Sequence, residues 1–268
     1  MRLSTLALWV CCLLAACDES RPHLRLATTT STRDSGLLDA ILPAFEREAK
    51  VRVDVIAVGS GKALKLGEAG DVDVLLVHAR EAEDAFMAAG HGARREDVMH
   101  NTFELLGPPG DPAQVKGLDV TLALARIAAA GLPFVSRGDD SGTHQKEKAL
   151  WREAGGLAKW DRYLETGQEM GASLIVANEK RAYVLTDRAT YLAFKSKLDL
   201  VSLAAASAKL NNPYGVIVVS AGQHPKVDQR RANAFADYLI SARGQRAIGA
   251  FTVGGEPLFF PDRAAFGP

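Results

Sequence analysis

The apolar residues of the first third of the chain alternate between two spacings. Leu24-Arg25-Leu26-Ala27-Thr28 reads as a strand. From Asp34 to Ala49, Leu37, Leu38, Ile41, Leu42 and Phe45 fall at helical spacing, with Pro43 set to kink the helix. Val51 to Ile56 carries the β-branched residues of a second strand. A short helix is expected after Ser60, then a buried strand from Val72 to Val77 and a helix from Ala82 to Ala89 that ends near Gly90. This βαβαβα order is the pattern of a parallel sheet flanked by helices.

The pattern then breaks. Phe103-Glu104-Leu105-Leu106 runs into the turn Gly107-Pro108-Pro109-Gly110, which is expected to be the first crossing between two lobes. Leu118 to Ala130 reads as a helix, Pro133-Phe134-Val135 as a strand, and Thr143 to Ala154 as a helix stopped by Gly155-Gly156. Tyr214 to Val219, after Asn211-Asn212-Pro213, reads as the return crossing, and the helical stretch from Arg230 to Ile248 rejoins the first lobe. The expected architecture is α/β, with residues 24–107 plus 215–268 as lobe 1 and 108–214 as lobe 2. A cleft would lie between them. In open α/β sheets, ligands bind beyond the carboxyl ends of the strands.

Composition changes this picture mainly at the N-terminus. Arg2, the apolar run Leu6 to Leu14 and then Leu14-Ala15-Ala16-Cys17 read as a secretory signal over residues 1–16. The run is far shorter than the roughly 20 residues needed to span a bilayer. Its end resembles a bacterial lipobox, which implies lipidation at Cys17, a short tether over residues 17–23 and an extracytoplasmic, membrane-anchored protein. The three cysteines, Cys11, Cys12 and Cys17, are all accounted for in this way, so the mature domain must rest on its core rather than on disulfides. Formal net charge is zero, and no basic stripe points to nucleic acid.

Three polar segments fall where a strand hands over to a helix: Thr28 to Thr32, Gly59-Ser60-Gly61, and Ser136 to Thr143. Each joins hydroxyls to a helix start, where backbone N–H groups lack partners and the helix dipole adds positive charge. Such a place suits an anion, although serine and threonine at helix starts also serve simply as caps. Arg137 could meet an oxyanion through its planar fork, or pair with Asp139 or Asp140. Other signals fail. Gly59-Ser60-Gly61-Lys62 lacks the earlier glycine and the following Ser/Thr of a phosphate loop. Ser141, Asp140 and His144 are too close in sequence for a triad. The six histidines show no metal-ligand spacing.

At these same residues the chain resembles the tungstate-binding proteins of TupA-type ABC transporters. The shared stretches include Ala27 to Thr32, Val58 to Leu64, Asp73 to Ala79, Phe134 to Thr143, Tyr183 to Tyr191 and Asn212-Pro213-Tyr214, in order along nearly the whole mature chain. The resemblance implies a type II-like periplasmic-binding-protein fold in which each lobe is a mixed sheet flanked by helices, with two crossover strands at the hinge. It implies an oxyanion held by Thr30, Ser31, Gly59, Ser60, Gly61, Arg137, Ser141, Gly142, Thr143 and Thr186, with Asp139 and Asp140 behind them. It also implies a monomer without cofactor that serves an ABC permease and is not an enzyme. Ser220-Ala221-Gly222-Gln223 departs from the family's pattern after the return strand. Molybdate, sulfate and phosphate remain alternatives to tungstate, and a periplasmic hydrolase using Ser141 or Asp140 is the alternative of another kind.

Overall fold

The computed structural model describes residues 21–263 apart from 140 and 158. The signal, the lipidation site Cys17 and Asp140 therefore lie outside the described residues. Strand β1 (His23–Thr29) leads into a five-residue helix α1 (Thr30–Asp34) and then α2 (Leu37–Ala49). Next come β2 (Arg52–Val58), α3 (Ser60–Glu68), β3 (Val74–Val77) and α4 (Arg80–Ala88). The long strand β4 (Gly92–Gly107) leaves this half. The second half holds α5 (Val120–Ala129), β5 (Phe134–Ser136), α6 (Gly142–Glu153), β6 (Tyr163–Glu165), α7 (Met170–Glu179), β7 (Tyr183–Asp187), α8 (Arg188–Phe194) and β8 (Val201–Ser202). Strand β9 (Asn211–Val219) returns, followed by α9 (Gln229–Ile240), α10 (Ala242–Gly249) and the short strands β10 (Thr252–Val253), β11 (Glu256–Pro257) and β12 (Phe260–Pro261).

The principal sheet runs β2-β1-β3-β9-β4-β7-β5-β6, with β8 and β12 also pairing to β4. β1 is parallel to β2 and β3, and β5 is parallel to β6 and β7, while β9 and β4 run antiparallel to their neighbours. Period-two alternation decides which core each residue joins. Val74 and Leu76 of β3 face a cluster with α2, α9 and α10, whereas Leu75 and Val77 face a second cluster with α3 and α4. In the other half Tyr183 and Leu185 of β7 join one cluster with Trp151, and Val184 joins another with Met170 and Leu174 of α7. Each half-sheet is thus buried on both faces. This explains why its strands read as nearly continuous apolar runs.

Two helices differ from expectation. The helix expected from Asp34 begins only at Leu37, because Gly36 adopts a left-handed conformation (φ 83°) between it and the short α1 that ends at Asp34, and α2 then runs unbroken through Pro43. The C-terminal stretch divides at Ser241, whose extended backbone ends α9 and whose hydroxyl accepts from Gly244 N–H to start α10. Gly244 fits there because a Cβ would lie 2.1 Å from the Tyr238 carbonyl oxygen. The first crossing strand begins eleven residues before Phe103, at Gly92.

Candidate functional site

Strand register sets the geometry of the site. β3 ends at Val77, paired with Gly215, which pairs in turn with Asp97 of β4. β7 runs the opposite way and ends at Asp187, paired with Phe103 of the same strand. The carboxyl ends of β3 and β7 therefore point at each other along β4. Six residues separate them, about 20 Å at the usual rise per residue. Asp187 is close enough to act electrostatically on both His78, just after β3, and Tyr214. The strand ends of the two halves thus face a common gap, floored by β4 and β9.

On one side, the register Thr29↔Val58 sets the turn at Thr30-Ser31 beside the turn at Gly59-Ser60-Gly61. Thr30, Ser31, Gly59 and Gly61 are exposed and Ser60 is half-buried. Thr29 caps the first turn by accepting from Thr32 N–H, and its hydroxyl lies 3.0 Å from that of Ser31 and 2.6 Å from that of Thr32. The N-cap of α3 is Gly59, which supplies no side-chain bond to the first N–H groups of that helix. Those groups remain free for a ligand.

On the other side, β5 delivers Arg137 to Thr143. Gly138 makes the tight turn at φ 64°, and a Cβ there would come within 2.8 Å of Glu165. Ser141 caps α6, its hydroxyl accepting from His144 N–H at 3.4 Å. That role leaves Ser141 a cap rather than a poised nucleophile. Arg137 Nη2 donates to Asp139 Oδ2 at 2.5 Å, and Ser141 N–H donates to Asp139 Oδ1 at 3.2 Å. Burial pushes the Asp139 carboxyl up, but the bonds from Ser141 and the Arg137 charge outweigh it, and the group stays below its ordinary value. The Arg137 side chain is 16% exposed, so the ion pair is not a surface one. Its Nε is buried without an acceptor. A buried charged donor in that state is costly, and an arriving anion would relieve it.

Thr186 lies on the strand beside β5 but is fully buried, with its hydroxyl donating to Asp187 O at 3.1 Å. It is the least available of the expected contacts. Asp187 itself is used twice at the start of α8, accepting from Thr190 N–H at 2.8 Å and Thr190 Oγ1 at 2.7 Å. Among the described residues, then, both carboxylates at the gap, Asp139 and Asp187, have both oxygens engaged. No group of three or more His, Cys, Asp or Glu among the described residues forms a metal cage.

A sequence profile described as a PBP superfamily domain matches residues 18–243. The tungstate-binding protein TupA of Peptoclostridium acidaminophilum is 43% identical over 251 residues, 92% of this chain and 88% of the relative. This chain belongs to the PBP superfamily, in its TupA group. TupA of Campylobacter jejuni is 38% identical over 87% of this chain and 88% of that protein. Among solved structures, the tungstate-binding protein TupA of Desulfovibrio alaskensis G20 superimposes with a TM-score of 0.88 at 44% identity, covering 90% of this chain and 99% of the other. The α/β binding-protein fold expected from the sequence is therefore confirmed.

Two buried groups near the site were not singled out as site residues from sequence. Glu147, one turn into α6, is 1% exposed and accepts from Tyr163 Oη at 2.8 Å and Trp151 Nε1 at 3.2 Å. Burial pushes its carboxyl up to about 7. Its sequence signals were its helical spacing toward Trp151 and its place just after the family stretch that ends at Thr143. The second is an amide pair at the crossing strands, Asn101 and Asn212, directly opposite one another in the register. Asn212 fell in a family stretch, but its partner is 111 residues away.

Proposed function

We propose that this chain is the extracytoplasmic solute-binding component of an ABC importer and captures tungstate between its halves. The observation that carries the reading is the number of hydrogen-bond donors that the described residues bring to the gap. Free N–H groups at the start of α3, the hydroxyls of Thr30, Ser31 and Ser60, and the unsatisfied Arg137 Nε all offer protons, while each oxygen of Asp139 and Asp187 already accepts a hydrogen bond within the protein. A dianion that carries no proton only accepts hydrogen bonds, and charge-assisted bonds are the strong ones. Hydrogen phosphate would bring a proton in need of an acceptor, which speaks against it. The relatives named as tungstate-binding proteins favour tungstate over molybdate, which has nearly the same shape.

Contacts are assigned to Thr30, Ser31, Gly59, Ser60, Gly61, Arg137, Ser141, Gly142 and Thr143, with Asp139 holding the arginine. Thr186 joins them only if its hydroxyl turns away from the Asp187 carbonyl. Residues 24–107 with 215–268 and residues 108–214 act as the closing lobes, hinged on β4 and β9, and the protein acts as a monomer that delivers its ligand to a permease. Titration calorimetry with tungstate, molybdate, sulfate and phosphate tests the reading. Tight one-to-one binding of tungstate supports it, and no heat with tungstate refutes it. Attachment through lipid on Cys17 is part of the proposal, and more than one acyl chain is needed for stable anchoring. Cys17→Ala should release the protein from membranes, and an unmodified Cys17 in the mass of the native protein would refute the anchor.

A further inference from the structure

We propose that Lys146 is a further ligand-binding residue of this gap, whose ammonium supplies the positive charge that a dianion needs and that Arg137 alone does not give. The inference deepens the reading above and rests on it. Lys146 lies on α6, four residues after Gly142 and three after Thr143, so the three share one face of the helix. Side chains on a helix lean back toward its N-terminus. One turn is about 5.4 Å, which a lysine stem spans, so the ammonium can draw level with the N–H groups of the first turn. Phe103 of β4 gives it a seat. The Lys146 Nζ lies 5.8 Å from the centroid of that ring, within reach of a cation–π attraction. Phe103 pairs with Asp187, the last residue of β7, and so marks the edge of the gap's floor on the side of the second half.

The charges at the gap leave a place for this lysine. Among the described residues, Arg137 is already paired with Asp139, Asp187 adds a second carboxylate, and burial lowers the pKa of His78 so that its ring stays neutral. Without Lys146 this set is net negative, and an entering dianion would be repelled. With it the side chains balance, and the starts of α3 and α6 add the positive ends of their dipoles. Lys146 is also uncommitted. Lys159, Lys195 and Lys209 in the same half each pair with a carboxylate. The Lys146 Nζ bonds to no described residue. Glu153, the acidic group that acts on it, lies two turns further along α6 and pairs with Lys209 at 4.0 Å. Lys146 is half-buried, and that burial pushes its ammonium below the ordinary value. Covering Phe103 accounts for the apolar stem, but not for a charge at its end. A partly desolvated cation with three donors to give and a ring beneath it gains more from an arriving anion than a solvated surface lysine does.

Calorimetry with tungstate on the full chain, alongside melting of the ligand-free proteins, tests this. Lys146→Met keeps an unbranched apolar stem over Phe103 and removes the charge. Its tungstate affinity should fall about tenfold to a hundredfold, the worth of a hydrogen bond to a charged group. Its ligand-free melting temperature should stay at or above that of the wild type, because a partly desolvated charge has gone. Wild-type affinity in Lys146→Met overturns the proposal. Lys146→Arg keeps the charge and should retain more affinity than Lys146→Met, and equal losses in the two would mark a packing role and overturn it. Should Lys146→Met fail to fold, the ¹⁵N signal of the Lys146 Nζ in the wild-type protein decides: it should shift on addition of tungstate, and a signal unmoved at saturation overturns the proposal. Wild-type protein that binds no tungstate refutes the proposed function and this inference with it, whereas tungstate binding that survives Lys146→Met unchanged removes this inference alone.

Discussion

Arg137→Ala is the most direct test of the ligand site. In the free protein the guanidinium is held on one side by Asp139, at 2.5 Å, while its Nε faces no acceptor and the side chain is 16% exposed. An oxyanion at the start of α6 would supply the missing acceptor and a second opposite charge. Removing one partner of such a desolvated charge pair costs roughly 2–5 kcal/mol, which is about 30- to several thousand-fold in dissociation constant. The loss should lie toward the upper part of this range, because the Asp139 carboxylate left behind is then uncompensated beside a dianion. Arg137→Lys keeps the charge but loses the planar fork, so it should recover only part of the affinity. Stability should fall by less than affinity: Asp139 loses its half-buried partner, but it keeps the bond from Ser141 N–H, and the unsatisfied Nε is removed with the side chain. Calorimetry with tungstate, alongside thermal melting of all three proteins, separates the cases. Wild-type affinity in a normally melting alanine variant would refute the assignment, and a large drop in melting temperature with unchanged affinity would make Arg137 a strut.

Three further outcomes are expected. Glu147 carries a folded-state pKa raised from 4.5 to about 7 by burial. The folded protein therefore holds a proton that the unfolded chain has lost, and stability should fall as pH rises from about 4.5 to 7 and level off above. The size is about 3 kcal/mol, and Glu147→Gln should flatten the profile in urea unfolding across that window; an unchanged slope would mean Glu147 titrates normally. Gly138→Ala should destabilise the protein by roughly 1–3 kcal/mol and weaken tungstate binding as well, since its Cβ collides with Glu165 and displaces the turn that carries Arg137; a stable variant with intact binding would show that the turn tolerates rearrangement. Tungstate at about 1,000 times its dissociation constant should stabilise the protein by about 4 kcal/mol, on the order of 10 °C in melting temperature for a chain of this size, and no shift at saturation would argue against a ligand enclosed by the fold.

The elements legible in the sequence are those whose periodicity has one physical source. The residues of β1, β3 and α2 face a single core each way, so Leu24, Leu26, Ile41 and Phe45 appear at the spacing their burial requires. Legibility fails where local geometry overrides periodicity. No apolar residue between Thr28 and Gly36 marks where α1 ends and α2 begins, and nothing in the spacing distinguishes Ser241 from a helical serine. The polar first part of β4, Gly92 to Thr102, was missed because Arg94, Arg95, Glu96 and Asp97 look like a surface loop. In the structure they are paired in ions, Arg95 with the buried Glu83 at 2.8 Å and Arg94 with Glu96 at 3.0 Å, so charge there is a property of the strand's neighbours and not of its exposure.

The turns that form the candidate site were visible for a related reason. A bound anion asks for residue types that a short segment can advertise by itself: hydroxyls, glycines and an arginine just after an apolar strand. What positions them is distributed over long separations and leaves no local mark. Asn101 and Asn212 meet only because β4 and β9 run antiparallel through both halves. Glu147 looks like any solvent-facing glutamate of a helix until Tyr163, from a strand after the next turn, closes over it. Donors of the first kind determine that an oxyanion can bind. Buried polar groups of the second kind tie together segments that lie far apart in the sequence. Donors of the first kind can therefore be exchanged one at a time, whereas a change at Asn101 or Asn212 reaches both crossing strands at once.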